Sequence, residues 1–416
     1  METGFILNTF FLLICGAMVM FMAAGFTMLE AGMVRSKSVA VILVKNIVLY
    51  AIAGLMFYVI GFNLMFTDVN GGFFGTPMPW TGDDTAALNG DYSAGYASYA
   101  FWFFQMVFVA TAASIVSGTL AERIKLWPFM IFAALLTGVI YPITGSWAWG
   151  GGWLSEMGFS DFAGSTLVHS VGGWAALTGA IILGARQGRF SSEGGKPRTI
   201  TGSSLPQVTL GTFILWFGWF GFNGGSQLSI ATTEDALAVA KIFANTNIAA
   251  AAGVMCVLLF SQLKTGRIDV AMVLNGALAG LVAITAGPLL PSLGLAALIG
   301  AAGSIVMLGA SALLEKLKID DVVGAVPVHL GAGIWGTLAV TLSDPDASLI
   351  TQIIGIGAIG LFVSITSLII WAVLKQTIGI RLHWSKEEVG GDWAELGVRA
   401  YNLGFSDYST APISAE

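Results

Sequence analysis

Eleven apolar runs, each long enough to cross a lipid bilayer, limit the fold of this 416-residue chain more than any other feature of its sequence. A helix needs about 20 apolar residues to cross the hydrocarbon core. Only 10% of the residues are charged, against roughly 25% in soluble domains. We therefore exclude a soluble enzyme and predict an all-α integral membrane protein. The predicted spans are residues 5–31, 38–66, 97–120, 127–148, 162–185, 205–226, 237–263, 269–290, 292–314, 323–343 and 349–376.

The first run lacks the form of a cleaved signal peptide. No positive charge precedes it, whereas Arg35 and Lys37 follow it, and its apolar stretch from 5 to 28 is longer than a signal sequence uses. We expect a retained first helix whose N-terminus lies outside.

The basic residues alternate along the chain as eleven spans require. Lys and Arg in short connections stay on the cytoplasmic side. With the N-terminus outside, every Lys and Arg except Lys241 falls inside or at an inner helix end, including Lys45 and Lys196. A count wrong by one helix would destroy this pattern. We predict a multi-pass protein of the plasma (inner) membrane with a cytoplasmic C-terminus.

The outer connections are acidic, from Glu2 at the start to Asp344 and Asp346 before the last span. An acidic mouth would concentrate cations. Retention of the basic residues inside also leaves the outside acidic without any such role. The sequence leaves both interpretations open.

Two of the three histidines lie in apolar spans and mark an internal repeat. His169 and His329 each follow a valine and precede a glycine four residues later, and 160 residues separate them. The fifth and tenth spans therefore correspond, which gives two five-helix halves of opposite orientation. Inverted repeats place the substrate site near the midplane, at the repeat interface. We predict a membrane domain over 1–376 (repeats about 5–185 and 205–343, final helix about 349–376) and a cytoplasmic tail over 377–416.

The two histidines are predicted to lie at similar depth. His169 comes eight residues after Asp161 at the outer end of its span, and His329 eight after Asp321 at the inner end. At about 1.5 Å per residue in a core about 30 Å thick, roughly 6 Å separates them along the membrane normal. Two neutral imidazoles can share one proton, but charging both is costly. Such a pair suits a small neutral solute or a single proton, and not Na⁺ or K⁺. The alternative is two core histidines bonded to backbone.

The fifth span carries the longest recognisable motif. It reads DFAGSTLVH over 161–169 and continues with glycines at 172, 173 and 184 and an arginine at 186. Further motifs are AERI at 121–124, GWFGFN at 218–223 and VHLGAG at 328–333. Together they resemble the ammonium transporter (Amt/Mep/Rh) family across nearly the whole chain. The runs MLEAG at 28–32 and LWFGW at 215–219 resemble its plant-type branch.

The resemblance implies a homotrimer with one pore per subunit, and it assigns roles to nine side chains. It identifies His169 and His329 as a twin-histidine pore and proton relay, and Phe108 and Phe222 as an aromatic gate. It places an outer ammonium recruitment site at Trp219, Ser226 and Asp161, with two further vestibule positions at Trp149 and Thr285.

Physical reasoning supports part of this assignment. Trp219, Phe222 and Ser226 are spaced by three and four residues, so they share one helix face. An aromatic face attracts a cation, and a hydroxyl accepts a hydrogen bond that NH₄⁺ can donate and K⁺ cannot. Trp219 could instead belong to an interfacial aromatic belt, and Asp161 could simply cap the fifth helix. Phe108 cannot be distinguished from an ordinary core residue by its sequence context.

The sequence departs from the family pattern at its cytoplasmic side. Val322 stands where the family has proline, Gly324 where it has aspartate, and Leu396 where the tail commonly has histidine. Ala394 occupies the position of a threonine that is phosphorylated in plant-type tails. A signalling protein of the PII class remains a candidate partner, but these departures weaken the case for regulation through the tail.

We therefore predict ammonium transport, with methylammonium as an analogue. NH₄⁺ would lose a proton near the gate and pass the histidines as NH₃. The alternative is a membrane receptor that senses ammonium on the same scaffold. We expect no enzyme, since no nucleophile–base pair or metal cluster accompanies the histidines, and His383 lies in the tail. We also expect no metal, cofactor, nucleic-acid partner or disulfide, because Cys15 and Cys256 have no motif spacing.

Overall fold

The computed structural model describes residues 1–190, 197–290 and 292–401, so Lys196 and the last part of the C-terminal tail, 402–416, lie outside the described residues. Within these ranges, nine helices are long and apolar enough to span a membrane, and two shorter apolar helices complete a set of eleven. The predicted fold class is therefore confirmed. The eleven, numbered first to eleventh below, are Glu2–Met33, Ser36–Phe66, Ser98–Thr119, 126–148, Ser165–Leu183, Leu205–Gly225, Thr233–Thr265, Val270–Thr285, Leu293–Lys316, Val326–Leu342 and Leu349–Thr377.

Polar caps set several helix boundaries. Thr232 and Ser348 accept hydrogen bonds from the backbone N–H three residues later, and the seventh and eleventh helices begin after them. The eighth helix ends at Thr285, five residues before the predicted boundary. The segment that follows contains Pro288, whose carbonyl, like that of Leu290, accepts a bond from the Asn245 amide. The apolar sequence continues there without helical structure.

The alternating helices give the bundle two faces of different charge. The N-terminus, the connections that carry Asp68 and Asp161, and the first turn of the seventh helix with Asp235 lie at one end, called here the acidic face. The connections that carry Arg35 and Arg186 lie at the other end, the basic face.

The first and sixth helices, which begin the two halves, pack closely along their lengths. A methyl group on Gly211 would come within 2.4 Å of the Leu29 nitrogen, and one on Gly32 within 2.5 Å of the Ser204 carbonyl oxygen. Only glycine permits this approach. Close contact through small residues is the usual way in which helices associate inside a bilayer.

The fifth and tenth helices repeat the same local structure. Each begins with a wide π-helical turn, Ser165–Ser170 and Val326–Gly331, which carries the histidine. A glycine with positive φ precedes each turn, Gly164 at 105° and Gly324 at 76°. Isolated π turns are frequent at functional sites. The repeated turns agree with the inverted halves inferred from the sequence.

A network of ion pairs closes the basic face. Arg186 Nε lies 2.8 Å from Asp320 Oδ2, and its Nη1 lies 3.2 Å from Glu122 Oε1. Arg35 pairs with the second oxygen of Glu122 at 2.5 Å. Burial alone would raise the pKa of Asp320, but hydrogen bonds from Arg186 and the charges of Arg123 and Arg186 outweigh it and lower the pKa to about 2. The network joins connections from both halves.

The described part of the tail packs against this face. Asp392 accepts a hydrogen bond from the backbone N–H of Val41 at 2.9 Å, and Glu395 accepts one from that of Leu126 at 2.8 Å. These N–H groups belong to the first turns of the second and fourth helices. The tail therefore supplies acceptors to helix starts that no side chain of their own caps.

Candidate functional site

A row of buried rings runs through the bundle between its two halves. Nearest the acidic face, Phe108 and Phe222 stack with centroids 4.0 Å apart and planes 28° from parallel, and both are essentially inaccessible to solvent. Phe222 also lies 5.3 Å from the ring of His169. Rings in such contact leave no room for water between them.

The two histidines meet directly. Nδ1 of His169 and Nδ1 of His329 are 3.2 Å apart, with ring planes 22° from parallel. One of these nitrogens donates the shared hydrogen bond and the other accepts it. Nε2 of His169 is buried and has no partner among the described residues. The pair can therefore hold one proton between its rings and offer a further nitrogen to a solute.

Trp219 does not lie at the mouth, where the sequence analysis placed it together with Ser226. Its indole is fully buried and stacks on His169, with centroids 4.9 Å apart and planes 17° from parallel. Ser226 comes seven positions after Trp219, which is two helical turns or about 10 Å, so a shared face does not mean a shared depth.

Thr285 is also not a vestibule residue. It is fully buried, and its hydroxyl accepts a hydrogen bond from Trp219 Nε1 at 2.8 Å while donating to the Leu281 carbonyl at 2.7 Å. Thr285 thus fixes the indole that packs against His169.

Trp149 is the tryptophan that meets the aromatic pair from the acidic face. It is half-buried, and its ring lies edge-on to Phe108 with centroids 6.1 Å apart. Its Nε1 donates to the backbone carbonyl of Asp161 at 2.9 Å. Ser226 is also half-buried at the acidic end of the sixth helix, with its hydroxyl donating to the Phe222 carbonyl at 2.9 Å.

Asp161 has two structural connections. Its carboxylate accepts hydrogen bonds of 2.8–3.2 Å from the backbone N–H groups of residues 164, 165, 166 and 167, which caps the fifth helix. Its carbonyl holds Trp149. Asp161 therefore caps the fifth helix, while its part in ammonium recruitment stays a prediction. Asp321 mirrors the cap at the basic face, where it accepts from Gly324 and Val326.

A narrow cleft leads from the basic face toward His329. Phe26, Leu278 and Val328 line it, together with Gly324 at the rim. Glu30 and Ser114 add polar atoms to this otherwise apolar lining.

Sequence reasoning missed the buried ion pair beside this cleft. Lys45 was counted as an inner helix-end charge, but it is fully buried and lies 3.8 Å from Glu30. The sequence did contain a signal for this pair, since an acid and a base both lie in apolar spans. An ionisable residue inside a membrane is a functional candidate by default.

The histidine pair offers poor ligands to an alkali-metal cation such as Na⁺ or K⁺. In the described part of the chain, no group of three His, Cys, Asp or Glu is placed to hold a metal ion. The path is lined by rings instead of the oxygens that Na⁺ and K⁺ require.

Fold and site together define a multi-pass helical membrane protein with a buried pair of contacting histidines. Comparison with known proteins identifies the family of this membrane protein. Residues 10–401 match the model of the Ammonium Transporter Family. The chain therefore belongs to that family.

Relatives and solved structures agree with this assignment. The chain is 42% identical to ammonium transporter Amt2 of Archaeoglobus fulgidus, over 94% of this chain and 87% of that protein. It is 34% identical to ammonium transporter 1 member 3 of Solanum lycopersicum, over 95% and 93%. Plant relatives are thus among the matches, as the sequence motifs indicated.

Among solved structures, a sensor Amt protein superposes with a TM-score of 0.88 at 35% identity, covering 95% of this chain and all of that one. Mep2 of Candida albicans superposes with a TM-score of 0.81 at 26% identity, covering 91% and 87%.

Proposed function

We propose that the protein moves ammonium across the membrane by separating NH₄⁺ into NH₃ and a proton at the aromatic pair and the histidines. The observation that carries this proposal is the 3.2 Å contact between His169 and His329 at the end of a dry row of rings. A charged ion is costly in such surroundings, whereas NH₃ is small, neutral and able to form hydrogen bonds. NH₄⁺ can become neutral there by giving up a proton, and K⁺ cannot.

Recruitment is assigned to the acidic face. The exposed part of the Trp149 indole offers a π surface, and the Ser226 oxygen retains a lone pair for an N–H of the cation. This assignment gives Trp149 the role that sequence resemblance gave to Trp219. Asp161 positions Trp149 through its carbonyl oxygen.

The proton has an acceptor close to the gate. If Nδ1 of His169 donates to His329, Nε2 of His169 is an unprotonated base without a partner in the described part of the chain. An N–H bond of NH₄⁺ breaks, the proton binds Nε2, and the shared proton between the rings passes to His329. The proton that crosses the pair and the NH₃ that follows make the transport electrogenic.

The second candidate function is ammonium sensing on the same scaffold. It is favoured by the 0.88 TM-score to a protein described as a sensor. A sensor would bind ammonium with little or no flux, so a transport measurement separates the two. Neither candidate requires a covalent catalytic step, and we assign no enzymatic activity.

The arrangement in the membrane follows from the charges. We assign the acidic face to the outside and the basic face to the cytoplasm of the plasma (inner) membrane, as positive residues favour. Many side chains on the outer surface of the bundle are large and apolar. We propose that these contact lipid and the other subunits of a homotrimer. A PII-class protein would meet the basic face, where the tail lies.

The deciding experiment uses the purified protein in proteoliposomes, with methylammonium uptake and ammonium-evoked current recorded on the same preparation. Wild type should show both. His169→Ala should abolish or strongly reduce the current, whereas His383→Ala, which alters the exposed histidine of the tail, should leave it unchanged. Equal currents in the wild type and both variants would contradict the proposed relay. Binding without flux in the wild type would favour the sensor.

A further inference from the structure

A buried glutamine of the eleventh helix binds the connection that carries Asp161. Gln352 lies in the first turn of Leu349–Thr377 and is fully buried. Its Oε1 accepts a hydrogen bond from the Ser160 backbone N–H at 2.9 Å, and its Nε2 donates to the Ser160 carbonyl at 2.6 Å. One side-chain amide therefore pairs with both backbone polar groups of a single residue.

The same amide also reaches the tenth helix. Its Nε2 donates a second hydrogen bond to the Thr337 carbonyl at 2.9 Å, so both donors of the amide are used. The Thr337 hydroxyl shares a 2.7 Å hydrogen bond with the Thr166 hydroxyl, in the π turn that carries His169. Gln352 therefore joins a connection of the first half to a helix of the second half at the acidic face.

The inverted repeat has a different device at the corresponding position of the basic face. At the interval of 160 residues that separates the two histidines, Ser160 corresponds to Asp320. Asp320 is held by Arg186 in an ion pair, with Oδ2 and Nε 2.8 Å apart. The residue before the capping aspartate is thus fixed in both halves, by an ion pair at one face and by a neutral amide at the other. A guanidinium at the acidic face would repel a cation recruited there, whereas the amide of Gln352 carries no net charge.

Ser160 is joined directly to the residue that holds Trp149. The Asp161 carbonyl accepts the hydrogen bond of Trp149 Nε1 at 2.9 Å, and the indole lies edge-on to Phe108 with centroids 6.1 Å apart. A backbone shift at Ser160 would displace that carbonyl and tilt the indole away from the aromatic pair.

We propose that Gln352 is a positioning residue of the recruitment site, which fixes Trp149 by holding Ser160 to the second half of the molecule. The inference rests on the proposed recruitment of ammonium by Trp149. It gives a role in transport to the eleventh helix, which belongs to neither repeat.

The test is a double-mutant cycle between Gln352→Met and Trp149→Leu, measured as the half-saturation of methylammonium uptake from the acidic face in right-side-out vesicles. Gln352→Met keeps the length of the side chain and removes its three hydrogen bonds. It should raise the half-saturation about three- to tenfold, because the indole remains but is no longer held. Added to Trp149→Leu, it should raise the half-saturation by less than about twofold, since a residue that acts through Trp149 then has nothing to position.

A merely structural role would give a different result. Loss of buried hydrogen bonds alone would lower the midpoint of thermal unfolding and leave the half-saturation of the folded protein unchanged. Gln352→Glu is the conservative variant, because a carboxyl that is neutral between two carbonyls keeps two of the three hydrogen bonds. Its half-saturation should lie within about threefold of wild type and below that of Gln352→Met. Ser367→Ala, at another buried polar residue of the eleventh helix, is the matched control and should change nothing.

Gln352→Ala replaces Gln352→Met if the latter does not fold, because the space it leaves admits water that can pair with the freed backbone groups. An unchanged half-saturation in the folded variant would overturn the positioning role. Effects that multiply with those of Trp149→Leu would also overturn it. No effect of Trp149→Leu itself would refute the recruitment assigned to Trp149, which is a separate result of the same cycle.

Discussion

Replacing Trp149 by leucine tests which tryptophan recruits the cation, because the fold contains a matched second tryptophan. Trp149 is half-buried beside Phe108, and its indole N–H is already bonded to the Asp161 carbonyl, so its π face is what remains for a cation. A cation–π contact contributes about 0.5–1 kcal/mol when exposed and about 2 kcal/mol when desolvated. Half-burial puts the loss at about 1–2 kcal/mol, which is roughly a 5- to 30-fold increase in half-saturation.

Trp219→Leu is the matched control for the same side-chain change. Trp219 is fully buried, stacks on His169 and donates to Thr285. Its loss should lower the maximum rate, since the histidine is no longer held in place, while the half-saturation from the acidic face changes little.

The assay is methylammonium uptake as a function of concentration, with both variants checked for a single oligomeric peak in detergent. The assignment of recruitment to Trp149 would be refuted if the two variants showed each other's expected effect. If Trp219→Leu raised the half-saturation and Trp149→Leu did not, the buried indole would be the recruitment site after all.

Three further predictions concern selectivity, stability and topology. His169→Asp places a carboxylate in the pore, so K⁺ should evoke a current that is absent in the wild type; a K⁺-silent variant would count against the dry imidazole barrier. Asp320→Asn leaves Arg186 partly unpaired and should destabilise the protein by about 3–5 kcal/mol in thermal unfolding. The folded-state pKa of Asp320 is lowered to about 2, so the contribution of its ionised carboxylate to the free energy of unfolding should be complete at neutral pH and disappear as the pH falls from about 4 to 2. In intact cells an impermeant maleimide should label Ser93→Cys and not Glu388→Cys. The wild type, whose cysteines are Cys15 and Cys256, should stay unlabelled. The reverse labelling pattern would mean that the protein has the opposite orientation in the membrane.

Apolar run length and charge predict most of the fold, because the bilayer restricts both. Apolar length gave eleven spans, and the alternation of basic residues supported their count. Predicted boundaries differ where apolar composition continues past a helix end, because hydropathy does not register that the backbone leaves the helix after Thr285. The predicted inner connection between the fifth and sixth spans contains Ser192, which lies outside the described residues.

Depth was harder to predict than position along the chain. The histidines could be placed because each lies a fixed number of residues from a capping aspartate. Trp219 had no such reference, and helical spacing gives direction without depth. The Glu30–Lys45 pair was missed for another reason. Its two members are 15 residues apart on different helices, and only packing brings them to 3.8 Å.

The number of residues from the capping aspartate to the histidine sets the depth of the histidine in both halves. The carboxylates of Asp161 and Asp321 anchor one end at opposite faces, and eight residues later each chain reaches the same plane. One residue inserted within either interval would rotate its imidazole around the helix axis and shift it along that axis. The 3.2 Å contact would be lost although every original side chain remained. Length in these two intervals is therefore as constrained as residue identity, and a homologue with an altered interval would need a compensating change in the other half.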